Sequence, residues 1–329
     1  MRGQWKTGWR VMALLAGAAA FAAADTATAT TRPTMPPPGA VNYIEGQVSV
    51  NGQEVSASAL RNVVLAPNQV IDTGQGYAEV LLTPGAFLRL GHNSEVRFES
   101  AGLADTRLNV IRGSAMIEAE QFVKGSHLDV KVDGATAQIE QKGLYDFDAN
   151  QQAVKVLDGK VKLSDLDRNT TLKKGNEVLL ADVTANKLQK QSFDTRAAET
   201  DPLYVWSKVR SEQEAAANVN AANFVAVNGG WYGPGWYWDP YWNFYSFVPG
   251  WGFAYSPFGW GFYSPAVVYA APYWHHGYYV RVHPGVYHVG LYHGGVYHGG
   301  LSGFHAAGGF HAGVGGFHGG AGFPGGGRR

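Results

Sequence analysis

The sequence predicts an all-β domain of short strands, solenoid- or sandwich-like, followed by one helix and a low-complexity, largely irregular tail. Three observations predict it. Across residues 41–190, short Val/Leu/Ile-rich runs with period-two alternation recur, each closed by Gly, Asn or Asp, with no helical stretch between them. Residues 194–223 carry the one convincing helical pattern. Beyond Ala226 charge almost disappears: of 26 basic and 26 acidic residues, only Asp239, Arg281, Arg328 and Arg329 lie there.

Residues 1–24 read as a secretory signal peptide. Arg2, Lys6 and Arg10 form a basic start, and residues 11–24 are an apolar run too short to span a bilayer comfortably. Small residues at 22–24 and 27–29 offer cleavage sites; an uncleaved anchor is the alternative. Residues 25–40, rich in Thr and Pro, read as an extended linker. No other segment is apolar enough to cross a membrane, so the protein is expected to be exported to a periplasm or cell envelope. Cysteine is absent, which excludes disulfides, thiol catalysis, thiolate metal sites and a lipid-modified N-terminal Cys. The formal net charge is zero, so a diffuse electrostatic grip on nucleic acid is not expected.

Within 41–190, Asn51-Gly52 is a strong tight-turn signal, and Asp158-Gly159 and Lys174-Gly175 supply further turns. Alternations such as Leu88, Arg89, Leu90 and Val96, Arg97, Phe98 put apolar groups on one face and charges on the other. Each strand is therefore expected to be half buried and half wet, which leaves both Arg89 and Arg97 in solvent.

The order of steps along this stretch resembles the FecR family of periplasmic sensor domains. Carrying it are Gly46-Gln-Val-Ser-Val50, Asp72-Thr-Gly74, Pro84-Gly-Ala-Phe-Leu-Arg-Leu90 and Ser94-Glu-Val-Arg-Phe98. Leu108-Asn-Val-Ile-Arg-Gly-Ser114, Val154-Lys-Val-Leu-Asp-Gly-Lys-Val161 and Leu172-Lys-Lys-Gly-Asn-Glu-Val178 follow in turn. The resemblance implies an all-β, solenoid-like domain without catalytic residues, working in signalling through protein partners. Two features depart from the family. Gly143-Leu-Tyr-Asp-Phe147 stands where the family often reads Gly-Thr-x-Phe. Only ten residues precede the apolar run, too few for the cytoplasmic segment with which family regulators capture a sigma factor. The expectation is a sensor or binding module without that output.

The helix at 194–223 starts well, with Asp201 as N-cap and Pro202 at its first position. Residues 224–329 form the Gly/His/Trp/Tyr-rich tail. From 229 to 272, Gly and Pro are dense enough to oppose regular strand and helix, and aromatics are too numerous for a well-solvated chain. Three readings stay open: a segment that packs on itself or on the β domain, a cell-wall-facing surface, and a membrane-interface segment. Self-association is a further use of such composition.

His283, His288, His293 and His298 recur every five residues, and imidazoles on flexible Gly spacing can bind Zn, Cu or Ni weakly. An odd period alternates the rings along one strand, which does not build a fixed site. No other cofactor is implied. Nor is an enzyme: there is no Gly-x-Ser-x-Gly elbow, phosphate loop or dinucleotide fingerprint. His92 reads as a solvated turn residue, and Glu118 and Glu120 share a strand face expected to be wet. The function expected is an exported, non-enzymatic binding or sensor module with an envelope protein partner. The alternatives are a structural or adhesive envelope protein and a His-rich metal-binding surface.

Overall fold

Short β-branched runs separated by turn residues fold here into two stacked sheets. The computed structural model describes residues 35–122, 125–182 and 188–270, together with the backbone of 278–283, 286–293 and 296–298. The first sheet contains β1 (Val41–Glu45), β5 (Tyr77–Leu81), β6 (Ala86–Leu90), β9 (Ser114–Ala119), β12 (Gly143–Asp148), β13 (Ala153–Asp158), β16 (Asn176–Leu179) and β17 (Lys190–Ser192), in that spatial order. The second runs β15 (Arg168–Lys173), β14 (Lys160–Asp165), β11 (Ala135–Ile139), β10 (His127–Val132), β8 (Asp105–Arg112), β7 (Glu95–Ala101), β4 (Val70–Thr73), β2 (Val48–Val50), β3 (Gln53–Glu54).

The chain visits the two sheets in turn, mostly one hairpin at a time, and the β8–β10 pair is parallel. The two architectures left open by the sequence thus resolve as a sandwich wound in solenoid fashion. Inward residues of both sheets, among them Ile71, Val80, Leu88, Val96, Phe98, Val130, Phe147, Val161 and Leu172, form one core. The Asn51-Gly52 turn is as expected: both residues take positive φ, +50° and +76°, the conformation of a type I′ hairpin.

The outer faces of the sheets differ. On the second sheet, Arg97 and Arg107 are exposed, and ion pairs such as Lys131–Glu99 (2.8 Å) and Arg112–Glu95 (3.7 Å) lie at least partly in water. The first sheet is covered across β5, β6 and β9. A long helix, α2 (Pro202–Asn228), crosses that face behind a short one, α1 (Thr195–Ala198). Asp201 caps α2 by accepting from the backbone N–H of Leu203 (2.8 Å), and Pro202 occupies the first turn, as predicted.

The segment after α2 is more regular than its composition suggests. It forms two hairpins, β18 (Gly235–Asp239) with β19 (Phe244–Val248) and β20 (Phe253–Tyr255) with β21 (Gly261–Tyr263), and a helix α3 (Pro265–Ala270). The glycines and prolines fall mostly between these elements, while the aromatics supply buried surface. Trp236, Phe244, Phe247 and Phe262 are at most 2% exposed, and Trp236, Phe247 and Phe262 pack with Leu81 and Phe87 of the first sheet. Of the three readings for this segment, packing on the β domain is the observed one. Among the described residues no helix is long and apolar enough to cross a membrane.

Candidate functional site

The site is built from charges that alternation pushed outward on the first sheet. Glu79 on β5 pairs in register with Arg89 on β6, and Phe87 on β6 with Glu118 on β9. Glu120 follows β9 with the same side-chain parity as Glu118. Alternation predicted these residues to be solvated. They are buried instead: Glu79, Arg89 and Glu118 are 0% exposed and Glu120 is 3% exposed. The reason is tertiary, because α2 and the aromatic hairpins lie over this face.

Helix α2 answers the strand charges with polar groups at helical spacing. Ser207, Arg210, Ser211, Glu214 and Asn218 are all buried and recur at steps of three and four, so they share one stripe of the helix. Arg210 Nη2 donates to Glu79 (2.8 Å) and to Glu214 (2.9 Å). Its guanidinium also lies over the rings of Tyr43 (4.0 Å to the centroid) and Phe244 (4.4 Å), a cation–π clamp. Arg89 Nε donates to Glu79 (2.8 Å), and its Nη1 donates to Glu118. Ser211 Oγ donates to Glu118 (2.7 Å), which Ser256 also reaches from the β20–β21 hairpin.

Two asparagines tie the layers together. The Asn42 amide nitrogen donates to Glu79 (3.0 Å), Glu214 (2.9 Å) and the Tyr245 carbonyl (2.9 Å), and its oxygen accepts from the Tyr245 N–H (2.8 Å). Asn218 donates to the carbonyls of Phe247 (2.8 Å) and Tyr263 (3.1 Å) and accepts from the Tyr263 N–H (2.7 Å). Sheet, helix and hairpins are therefore latched by directional bonds as well as by apolar packing.

The charges of this cluster do not balance if every group ionises, since two guanidiniums face four carboxyls. Burial opposes ionisation of Glu79, but the Arg210 and Arg89 charges outweigh it and hold its carboxyl well below the usual carboxylate range. Burial, and then the Glu79 charge, push Glu214 well above that range. Burial, and then the Glu118 charge, do the same to Glu120. Glu120 is set apart in another respect: neither carboxyl oxygen has a hydrogen-bond partner among the described residues. It lines a cavity of about 710 Å³ with Gln121, Phe122, Glu140, Lys142 and Phe253.

A pH dependence follows. Glu120 and Glu214 keep their protons in the folded chain at pH values where the unfolded chain, titrating at about 4.3, has released them. Asp146, pushed up to about 7 chiefly by burial, behaves alike. The folded state then binds more protons than the unfolded state, so stability falls as pH rises above about 4.3. Urea unfolding is expected to show a midpoint that declines from pH 5 to pH 8. Replacing Glu120 by Gln is expected to flatten that decline and raise stability at pH 8. A midpoint independent of pH, or a Glu120→Gln variant less stable at pH 8, would contradict this.

The remaining sequence-predicted residues fall elsewhere. His92 is an exposed turn residue whose ring lies 4.2 Å from that of Tyr77. His283, His288, His293 and His298 lie on β22 (Tyr278–His283), β23 (Val286–His293) and β24 (Val296–His298), a three-stranded meander. In its register His288 pairs with Arg281, His283 with Val286, His293 with Val296 and His298 with Leu291, so no two of the four are opposite one another. Their side chains lie outside the described residues. Among the described residues, no group of three or more His, Cys, Asp or Glu side chains is arranged to hold a metal ion.

Comparison with known proteins bears on the β domain. Crystal structures of a candidate anti-sigma factor from Parabacteroides distasonis, at 2.50 and 1.65 Å, are partly similar, with 18% and 17% identity and a TM-score of 0.34. The alignments cover 39% of this chain and 62% of that one, so the chain spans less than two thirds of the relative's length. No curated protein matches the chain. The family model described as FecR protein matches residues 69–162, from the edge of β4 into β14, within the stretch whose order of sequence motifs resembles that family.

Proposed function

We propose that the chain is an exported, non-enzymatic sensor or binding module of the cell envelope that acts in signalling through a protein partner. The observation that carries this reading is the FecR match over residues 69–162, in a domain whose second sheet presents a charged outer face. The first sheet is closed by the chain's own helix and hairpins, which leaves the second sheet as the broad polar face for a partner. The regulatory character of FecR-like domains supports a non-enzymatic role.

The test is photo-crosslinking in the native envelope from residues 97 and 107, both exposed. Residue 89 is unsuitable because Arg89 is wholly buried. One protein partner, retained when residues 271–329 are removed, is the expected result. Crosslinks only to wall material or to further copies, lost on that removal, would overturn the reading in favour of a structural or adhesive protein working through its tail.

A further inference from the structure

The two large sheets have four end strands, and these are not alike. β3 is two residues long and β17 three. β1 is covered at its start, where the Val41 N–H donates to the Val63 carbonyl (2.9 Å). β15 differs from all three: it is a regular strand of six residues, Arg168–Lys173, at the end of the second sheet. Short or covered edges resist further pairing, whereas a long regular edge is a template for another strand.

The register fixes which backbone groups that edge presents. β14 and β15 are joined by a two-residue loop, Leu166-Asp167, with Asp165 opposite Arg168. The pair beside such a loop is hydrogen-bonded, and bonded and non-bonded pairs then alternate. Asn169, Thr171 and Lys173 fall at the non-bonded positions, opposite Ser164, Lys162 and Lys160. The same alternation is seen across the hairpin, where the Lys160 N–H donates to the Tyr145 hydroxyl (3.1 Å) rather than to β15. The N–H and C=O groups of Asn169, Thr171 and Lys173 therefore point away from β14. All three residues are exposed, and among the described residues no backbone hydrogen bond reaches these groups from another element.

Charge selects what can pair there. Val161, Leu163 and Leu172 point inward, each 0% exposed, so Lys160, Lys162, Thr171 and Lys173 share the outer face. Lys160 pairs with Glu140 (2.7 Å) and Lys174 with Asp158 (3.4 Å), whereas neither Lys162 nor Lys173 is in an ion pair among the described residues. We propose that β15 receives an extended acidic segment of a partner protein as an additional strand of the second sheet, with Lys162 and Lys173 as counter-ions to its carboxylates. The inference deepens the reading of the second sheet as the partner face and rests on it. Carboxylates two residues apart on the added strand lie on the wet face, one beside Lys173 and one facing Lys162 across the short Thr171. The residues between them lie on the inner side beside Leu172, where apolar side chains extend the core. A second copy of this chain is a poor occupant, since pairing β15 with itself brings two basic edges together.

The experiment is fluorescence anisotropy of the full chain with a labelled peptide, acetyl-Thr-Glu-Val-Glu-Val-Thr-amide. Expected are saturable binding, binding weaker by about tenfold or more when lysines replace the glutamates, and a loss of about tenfold in Lys173→Glu. Thr171→Pro removes an N–H that faces away from β14, so its urea midpoint should stay close to that of the parent while peptide binding falls by about tenfold or more. Methylating the glutamate nitrogens, or instead the valine nitrogens, tests the mode of binding. On an added strand one set faces β15 and the other faces solvent, so one methylation should abolish binding and the other leave it. No saturable binding, equal binding of the two charge forms, unchanged affinity in Lys173→Glu, or the same effect from both methylations would overturn the proposal, and these decide it even if Thr171→Pro does not fold. If residues 97 and 107 still capture a protein partner in that case, the sensor reading stands and only the added strand falls.

Discussion

Replacing Arg89 by Met is expected to destabilise the protein by about 3–5 kcal/mol at pH 8, because it leaves the buried Glu118 carboxylate without a guanidinium and Glu79 with that of Arg210 alone. Glu79 and Glu118 both bond Arg89, and all three are 0% exposed. Met nearly matches the arginine stem in volume, so the loss reports on charge more than on packing. Its sign with pH is fixed by the same chemistry. A buried carboxyl that has lost its counter-ion is costly only as the anion, and that cost falls with pH. The deficit should shrink by pH 5. Urea unfolding of both proteins at pH 5 and 8 measures it. An unchanged midpoint, or a deficit larger at pH 5, would mean that the guanidinium does not neutralise this face.

Ending the chain at Asn223 is expected to abolish cooperative folding. That cut removes Trp236, Phe244, Phe247 and Phe262 and uncovers Leu81 and Phe87, all at most 2% exposed in the intact chain. Full burial of one large apolar side chain contributes about 1.5–3 kcal/mol, so several lost together rival the 5–15 kcal/mol that typically separates folded from unfolded. The cut also removes the Tyr245, Phe247 and Tyr263 backbone partners of Asn42 and Asn218. A single substitution, Phe247→Ala, tests the same layer more gently, with an expected loss of about 3–5 kcal/mol. Size-exclusion chromatography and urea unfolding are the measurements. A chain ended at Asn223 that is monomeric and unfolds like the intact protein would show that the hairpins are an ornament on a self-sufficient β domain.

These two expectations mark where sequence reasoning failed, and the failure has a physical form. Period-two alternation locates the faces of a strand but does not say which outer face is dry. Arg89 and Arg97 have the same local pattern, Leu-Arg-Leu and Val-Arg-Phe, yet Arg89 is buried and Arg97 exposed. What separates them is α2, more than a hundred residues away along the chain. A signal was present in α2: Ser207, Arg210, Ser211, Glu214 and Asn218 form a polar stripe at helical spacing, flanked by alanines. Read as an exposed polar face, this stripe is ordinary. It is in fact the inner face, and its match in charge to Glu79, Arg89 and Glu118 appears only when the two elements meet.

The sequence by itself determined the strands, their turns, the start of the helix and the likeness to FecR domains. Each depends on residues within a few positions of one another: alternation, Asn-Gly and Asp-Pro dipeptides, and an ordered series of short motifs. Only the tertiary structure decided that the segment beyond α2 helps close one sheet, that six charged side chains are buried between that sheet and its cover, and that Glu120 alone among the four carboxyls has no partner among the described residues. Those outcomes depend on burial, and burial is set by what the rest of the chain places overhead. Desolvation then turns charges that would each be inconsequential in water into a latch whose Glu120 and Glu214 carboxyls hold their protons well above the usual carboxylate range.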